Sequence, residues 1–220
     1  MNDSIDRLKI EKSLWSQNYK RVMGLDEVGR GCLSGPVVAA GVVLAPGTQQ
    51  TEYVDSKCIP EAERRRLAAR IRKEAVFWTI KSCDPTVIDR INILNASVNA
   101  MMQCAESGGN PDFLLIDGNR YASSIIPYQC IVGGDNLSAS IGAASILAKV
   151  FRDGLMRELH SEYPVYGWDT NVGYPTRKHF EGLKKHGYTP YHRRSFRLRT
   201  KRAFTGNGTG YDKSYSGPGA

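Results

Sequence analysis

The chain has 220 residues, 41% hydrophobic and 24% charged, with a formal net charge of +8. That length supports one sizeable domain with a small appendage, and the positive excess favours a polyanionic partner such as nucleic acid. No run of about 18 apolar residues is present to span a membrane, and the mixed, polar stretch from Met1 to Lys12 lacks an apolar signal core.

Five cysteines (Cys32, Cys58, Cys83, Cys104, Cys130) are scattered and lack Cys-x-x-Cys spacing. They read as reduced thiols of a cytoplasmic protein, not as a disulfide frame or zinc site. Along the chain, Ile5 to Tyr19 predicts a short amphipathic helix with Ile5, Leu8, Leu14 and Trp15 on one face. Lys20 to Cys32 and Pro36 to Leu44 predict two strands joined by a Gly-rich turn, and Ala45 to Lys57 a loop broken by Pro46-Gly47. Pro60 to Lys73 is helical, with acids in its first turn and bases after them. Glu74 to Cys83 is a third strand. Pro85 to Glu106 is a long helix with Ile88, Ile91, Leu94, Val98 and Met101/Met102 at helical spacing, stopped by Gly108-Gly109-Asn110-Pro111.

Asp112 to Asp117 is a short apolar run suited to a strand buried on both faces. Tyr128 to Val132 repeats the pattern before Gly133-Gly134-Asp135. Ser138 to Tyr163 is a helix that begins with small residues and so can lie close to a sheet. Thr176 to His186 is a further helix, ended by Gly187. From Thr205 onward Gly, Ser and Tyr dominate, which predicts a disordered tail. The order suggests one mixed α/β sheet.

The chemistry is carried by acids at strand ends. Asp26-Glu27 follow the apolar Val22, Met23 and Leu25; Asp117 ends one strand and Asp135 follows another. In open α/β sheets, sites gather outside the strand ends. Acids brought there from separate strands form a hard oxygen cluster suited to Mg²⁺ or Mn²⁺. Two ions roughly 3.5–4 Å apart would hold both the attacking water and the leaving oxygen of a phosphodiester. The alternative is a set of ordinary turns, since Asp, Gly and Asn are standard turn residues. Neighbours on a strand point to opposite faces, so Asp26 and Glu27 share a site only if the strand ends or bulges there.

The Gly29-Arg30-Gly31 turn lets backbone approach a ligand, and its N–H and C=O groups suit a 2′-hydroxyl, the group that separates RNA from DNA. Arg30 either holds a phosphate or salt-bridges Glu27 or Asp26. The C-terminal third supplies a polyanion grip. Arg177, Lys178, Lys184, Lys185, Arg193, Arg194, Arg197, Arg199, Lys201 and Arg202 stand among Tyr174, His179, Tyr188, Tyr191 and His192.

These pieces resemble the ribonuclease HII (type 2 ribonuclease H) family. The likeness runs from about Val22 to Phe196. It rests on Gly24-Leu25-Asp26-Glu27-Val28-Gly29-Arg30-Gly31, Asp55-Ser56-Lys57, Leu115-Ile116-Asp117-Gly118-Asn119 and Gly134-Asp135. It continues through Ser140 to Val150 with Arg152-Asp153, Gly173-Tyr174-Pro175-Thr176 and His192-Arg193-Arg194-Ser195-Phe196. The resemblance implies a ribonuclease H-like fold: a five-stranded mixed sheet flanked by helices, with a small C-terminal helical part. Residues 1–20 would be a lead-in, 21–204 the catalytic domain and 205–220 a tail.

It further implies a Mg²⁺- or Mn²⁺-dependent endonuclease that cuts the RNA strand of RNA–DNA hybrids. It would also incise 5′ of single ribonucleotides in duplex DNA, leaving 3′-OH and 5′-phosphate ends. Asp26, Glu27, Asp117 and Asp135 would be the catalytic metal ligands. Gly29, Arg30 and Gly31 would read the 2′-OH, Tyr174 would pack on the deoxyribose beyond the junction, and Ser56 and Lys57 would touch backbone. Ser145 and Asp153 would support the site. A cytoplasmic monomer that meets no membrane is expected. Two departures remove positive charge: Gly133 stands where the family usually has Lys, and Asn171-Val172 where it usually has His-Lys. A hybrid-binding protein without catalysis is the rival that these departures permit. A related sheet nuclease, a junction resolvase or ribonuclease HIII, is disfavoured by the Gly-Arg-Gly turn, by Tyr174 and by the absence of a large N-terminal extension.

Overall fold

A computed structural model describes residues 6–49, 53, 56 and 59–197. Its frame is a sheet of five strands in the order β3-β2-β1-β4-β5: β1 Val22–Val28, β2 Val37–Val43, β3 Phe77–Cys83, β4 Phe113–Asp117 and β5 Tyr128–Ile131. β1, β2 and β3 are antiparallel neighbours, whereas β4 and β5 run parallel to β1. The mixed sheet expected from the sequence is therefore present. β1, β4 and β5 all deliver their carboxyl ends to one rim.

Alternation along the strands sorts the apolar residues into two layers. Val22, Val38, Ala40, Val42 and Leu115 face helices α2 (Glu61–Glu74) and α5 (Ala139–Glu162), meeting Leu67, Ile71, Ile141 and Leu147. Met23, Leu25, Ala39, Leu114 and Ile116 face α3 (Pro85–Glu106), meeting Ile88, Ala100, Met101 and Cys104. Full burial of one such Leu or Ile stabilises the fold by about 1.5–3 kcal/mol. The small residues that open α5 matter most at Gly24, where a Cβ would run into the Ser140 carbonyl. A Gly24→Ala change would push α5 off the sheet beside the rim.

The helix starts follow capping chemistry. Asp84 accepts from Val87 N at 2.9 Å, Ser138 from Ile141 N at 3.2 Å and Thr176 from His179 N at 3.4 Å. The first helix, α1 (Lys9–Ser16), is shorter than expected but buries Leu14 and Trp15, with Leu8 buried just before it. Its fully buried Glu11 accepts from Ser138 Oγ, Ser140 N and Ser140 Oγ at 2.6–2.9 Å. A carboxylate there faces the positive end of α5.

Three expectations are corrected. The helix α3 breaks at Asn92, at φ 66° and ψ 165°. Beyond the break it buries Ala96, Ala100, Met101 and Cys104, while Leu94 and Val98 move to a groove wall. β5 is an edge strand with Tyr128 exposed, not a strand buried on both faces. The short helices α4 (Gly134–Leu137) and α6 (Trp168–Asn171) and a 3₁₀ turn at Pro164–Tyr166 were not foreseen. The last two pack with α5 and α7 (Arg177–His186) around Leu33, Met156, Leu159, Tyr166, Trp168 and Leu183, which forms the small C-terminal part. Cys32, Cys83, Cys104 and Cys130 are free thiols. No described helix is long and apolar enough to cross a membrane. The tail from Thr205, together with Ile5, Asp55, Lys57 and Cys58, lies outside the described residues.

Candidate active site

The rim is built from the register. Leu25 of β1 lies opposite Ile116 of β4 in a parallel pair, so Asp26 and Asp117 come next along the two strands. Both share the face that carries Val22 and Leu115, toward α5. Glu27 takes the opposite face, toward α3, where Leu94, Ser97 and Val98 line a groove with it that Asp117, at the end of β4, also borders. No bulge intervenes, because β1 stays in register with β2 from Met23 to Val28, but its pairing with β4 stops at Leu25–Ile116 and the strand ends one residue past Glu27. The two adjacent acids thus sit on either side of the sheet. Asp135 lies past the end of β5, in the first turn of α4.

Each acid has few internal partners. Asp26 is 6% exposed and its Oδ1 accepts from Glu27 N at 2.7 Å. Burial, then the neighbouring Glu27 and Asp117 charges, push its carboxyl well above the usual range, against hydrogen bonds from Ser145 and the Glu27 N–H. Burial also raises Glu27; Arg30 opposes this and Asp117 adds to it. Arg30 Nη1 donates to Glu27 Oε1 at 3.1 Å, so the salt-bridge alternative for Arg30 is the one formed. Asp117 Oδ1 accepts from Gly134 N at 2.7 Å, and Asp135 Oδ1 from Asn136 Nδ2 at 3.2 Å.

Asp26, Glu27 and Asp117 therefore feel one another electrostatically, and their donor set is all hard oxygen, which fits Mg²⁺ or Mn²⁺. Among the described residues, however, no three His, Cys, Asp or Glu side chains are gathered as a ready cage for an ion. Glu27 and Asp117 nonetheless border one groove at the rim, with Asp26 beside them.

The remaining sequence candidates fall into distinct places. Ser56 and Ser145 are 3% and 4% exposed, and their hydroxyls lie 3.0 Å apart beneath Asp26. Ser145 hydrogen-bonds the carboxylate and Ser56 backs Ser145, so neither faces outward to a backbone phosphate. Asp153 is also buried and takes Lys149 Nζ at 2.8 Å. Arg64, 3.9 Å from Asp153, donates to Ser56 O at 2.6 Å. Asp153 is thus tied to the Ser56 segment through Arg64. Gly29, at φ 94°, rests on the Arg152 side chain, and a Cβ would overlap it. Tyr174 is 39% exposed, and its ring Cε1 would lie 3.7 Å from a Cβ at Gly31. Turn and tyrosine stand side by side.

The polyanion grip is smaller than the sequence suggested. Lys178, Lys184, Lys185, Arg194 and Arg197 are exposed, and Arg177 pairs with Glu181 at 2.7 Å. Arg193, His179 and His192 are 1%, 0% and 2% exposed. They cannot meet phosphate. Arg199, Lys201 and Arg202 lie outside the described residues. Asn171 and Val172, read as lost charges near phosphate, are both buried. Val172 adopts φ 41°, a strained place for a β-branched residue. The residues missed are Arg152, Arg193 and Arg64, each a buried guanidinium donating to backbone carbonyls. Arg152 and Arg193 stand out in the sequence only as motif or basic-run positions, and Arg64 carries no signal beyond its helix.

The sheet order and acidic rim are those of a ribonuclease H-type hydrolase. The structure of ribonuclease H2 from Pyrococcus horikoshii OT3 matches with a TM-score of 0.68 at 23% identity, over 80% of this chain and 93% of that one. The ribonuclease HII family pattern matches residues 23–199. Ribonuclease HII of Salinibacter ruber is 50% identical over 197 residues, covering 87% of this chain and 98% of the relative. That of Chlorobium luteolum is 50% identical over 196 residues, covering 86% and 94%. The chain belongs to the ribonuclease HII family. It is a type 2 ribonuclease H, a metal-dependent endonuclease that acts on RNA–DNA.

Proposed function

We propose that this enzyme, besides cutting continuous RNA–DNA hybrids, incises 5′ of single ribonucleotides embedded in duplex DNA and leaves 3′-OH and 5′-phosphate ends. One observation carries the reading: the Gly-Arg-Gly turn lies against Tyr174 beside the carboxylate rim. A turn that meets a 2′-hydroxyl and a ring that packs on the next sugar together read a ribose followed by a deoxyribose. With the Gly29 and Arg30 carbonyls engaged by Arg193, the N–H side of the turn is left to meet the hydroxyl.

Asp26, Glu27, Asp117 and Asp135 would hold Mg²⁺ or Mn²⁺. When bound, divalent ions lower the pKa of water and stabilise charge on the leaving 3′ oxygen. Ser145 holds Asp26 from beneath, and the Gly134 N–H fixes Asp117. Arg120 flanks the groove that runs past Glu27 and Asp117 and would orient the phosphates, while Arg30 stays paired with Glu27. Exposed Lys184, Lys185, Arg194 and Arg197 would extend the hold along the duplex, with salt-dependent affinity. All these parts come from one chain, so the enzyme works as a monomer. The test is a duplex carrying one ribonucleotide, labelled at its 5′ end, with and without Mg²⁺ or Mn²⁺. A metal-dependent product ending in 3′-OH immediately 5′ of the ribonucleotide is expected. Cleavage confined to continuous hybrids would remove the junction reading.

A further inference from the structure

We propose that His192 and Arg193 form a two-residue clip that sets the spacing between the Gly-Arg-Gly turn and Tyr174, and thereby the preference for a ribose–deoxyribose junction. The inference rests on the reading above that these two elements recognise the junction. It adds the residues that position them.

Arg193 holds the turn. Its Nη2 donates to Gly29 O at 2.7 Å, its Nη1 to Arg30 O at 3.0 Å and its Nε to Gly35 O at 3.0 Å. The guanidinium also lies 5.1 Å from the centre of the Phe196 ring. A planar fork meeting three carbonyls fixes orientation in a way that a lysine cannot.

His192 holds Tyr174 through a chain of imidazoles. His192 Nδ1 accepts from Thr189 N at 2.9 Å, which places its proton on Nε2. That Nε2 donates to His179 Nε2, 3.1 Å away, whose one lone pair is shared with the Trp168 Nε1–H at 3.2 Å. The His179 proton is thereby placed on Nδ1, which donates to Tyr174 O at 2.9 Å. Each ring has a single tautomer that satisfies the network. Burial lowers both pKa values, that of His192 to about 3, and keeps the rings neutral as the chain of donors requires.

The clip is itself anchored. His192 bridges Ser34, Arg193 N donates to Leu33 O at 2.9 Å, and Leu33 N donates to Gly173 O at 2.8 Å. Arg152 ties Val172 O, Ser34 O and Pro36 O to the same knot at 2.8–3.0 Å. Adjacent residues of one segment therefore reach both halves of the junction reader.

The experiment compares kcat/KM for a single-ribonucleotide duplex and for a continuous hybrid in Arg193→Lys, His192→Phe and His192→Gln. Amide hydrogen exchange is followed at residues 29–31 and 173–175, with thermal unfolding as a check on folding. Arg193→Lys and His192→Phe should lower the single-to-continuous ratio by about 10-fold, as a misplacement near 1 Å would. Exchange at both segments should rise in the same variants. His192→Gln keeps a donor where Nε2–H stood and should hold the ratio within about 3-fold of wild type. Equal losses on both substrates, or unchanged exchange at both segments, overturn the clip. Tyr174→Ala separates the two failures. A ratio lowered by Tyr174→Ala but not by the clip variants sinks the clip alone. A ratio untouched by Tyr174→Ala, with exchange raised in the clip variants, sinks the junction reading and the specificity role with it.

Discussion

Asp26 and Arg193 are both charged groups withdrawn from water, at 6% and 1% exposure, yet they are treated in opposite ways. Around Arg193, Nε, Nη1 and Nη2 each find a backbone carbonyl. Around Asp26, the nearest charges are further carboxylates, and burial with repulsion drives its pKa up. Burial therefore does not distinguish a working group from a supporting one. A buried charge that the fold satisfies is architecture, and one that the fold leaves opposed is held for something outside the chain.

The largest expected break of this contrast is Asp117→Asn. The amide oxygen can still accept from Gly134 N, so the fold survives. Turnover should fall by more than about 100-fold, beyond what outer partners of a metal site are worth, while duplex binding is kept. Near-wild-type turnover in a gel assay would take the rim out of the chemistry. Next, Arg193→Met takes a donor from three carbonyls, leaving Gly29 O only the Cys32 N–H at 3.4 Å, and should lose about 3 kcal/mol in urea unfolding. A loss under about 1 kcal/mol would make the satisfied charge no different from a surface one.

Asp26→Asn should do the reverse and stabilise the metal-free protein by about 2 kcal/mol, a rise of several degrees. The folded pKa of Asp26 is raised, so its contribution is present below the unfolded value of 3.8 and is lost as pH rises through the folded one. The gap between variant and wild type should thus widen above about pH 4 and narrow when Mg²⁺ or Mn²⁺ is added. A variant less stable than wild type at pH 7 in chelator contradicts this.

His192 sharpens the comparison from the supporting side. Its folded pKa is depressed to about 3, so its stabilising share is full above the unfolded value of 6.5 and is lost as pH falls toward 3. Wild type should lose up to about 1.4 kcal/mol relative to His192→Gln on going from pH 6.5 to 5.5. Parallel pH curves for the two would deny that His192 stays neutral. Smallest of all is Arg30→Ala, whose pair with Glu27 is half exposed on the arginine side and should change stability by less than about 1 kcal/mol.

Much of this was legible in the sequence because the relevant physics is local. The apolar Phe113–Ile116 run placed Asp117 at a carboxyl end, and two-residue alternation already implied that Asp26 and Glu27 point apart. What was not legible is tertiary. The Asn92 break carries no proline or glycine, so helical spacing was extended through it and Leu94 and Val98 were taken for core. α6 is too short for periodicity to show. Arg193, His179 and His192 looked like phosphate ligands because composition reports charge and not which carbonyls will meet it. Ser56 looked like an outward contact because a motif does not show which way its side chains face.

The Arg193 fork also has a consequence for the order of events during synthesis. Gly29 and Arg30 leave the ribosome 164 and 163 positions ahead of the guanidinium that fixes them. A nascent polypeptide can thus assemble the sheet and its rim while this turn still lacks its fastening. On the proposed reading discrimination is installed last, so a chain released early by a premature stop before residue 193 would carry the acids of the rim without the clip.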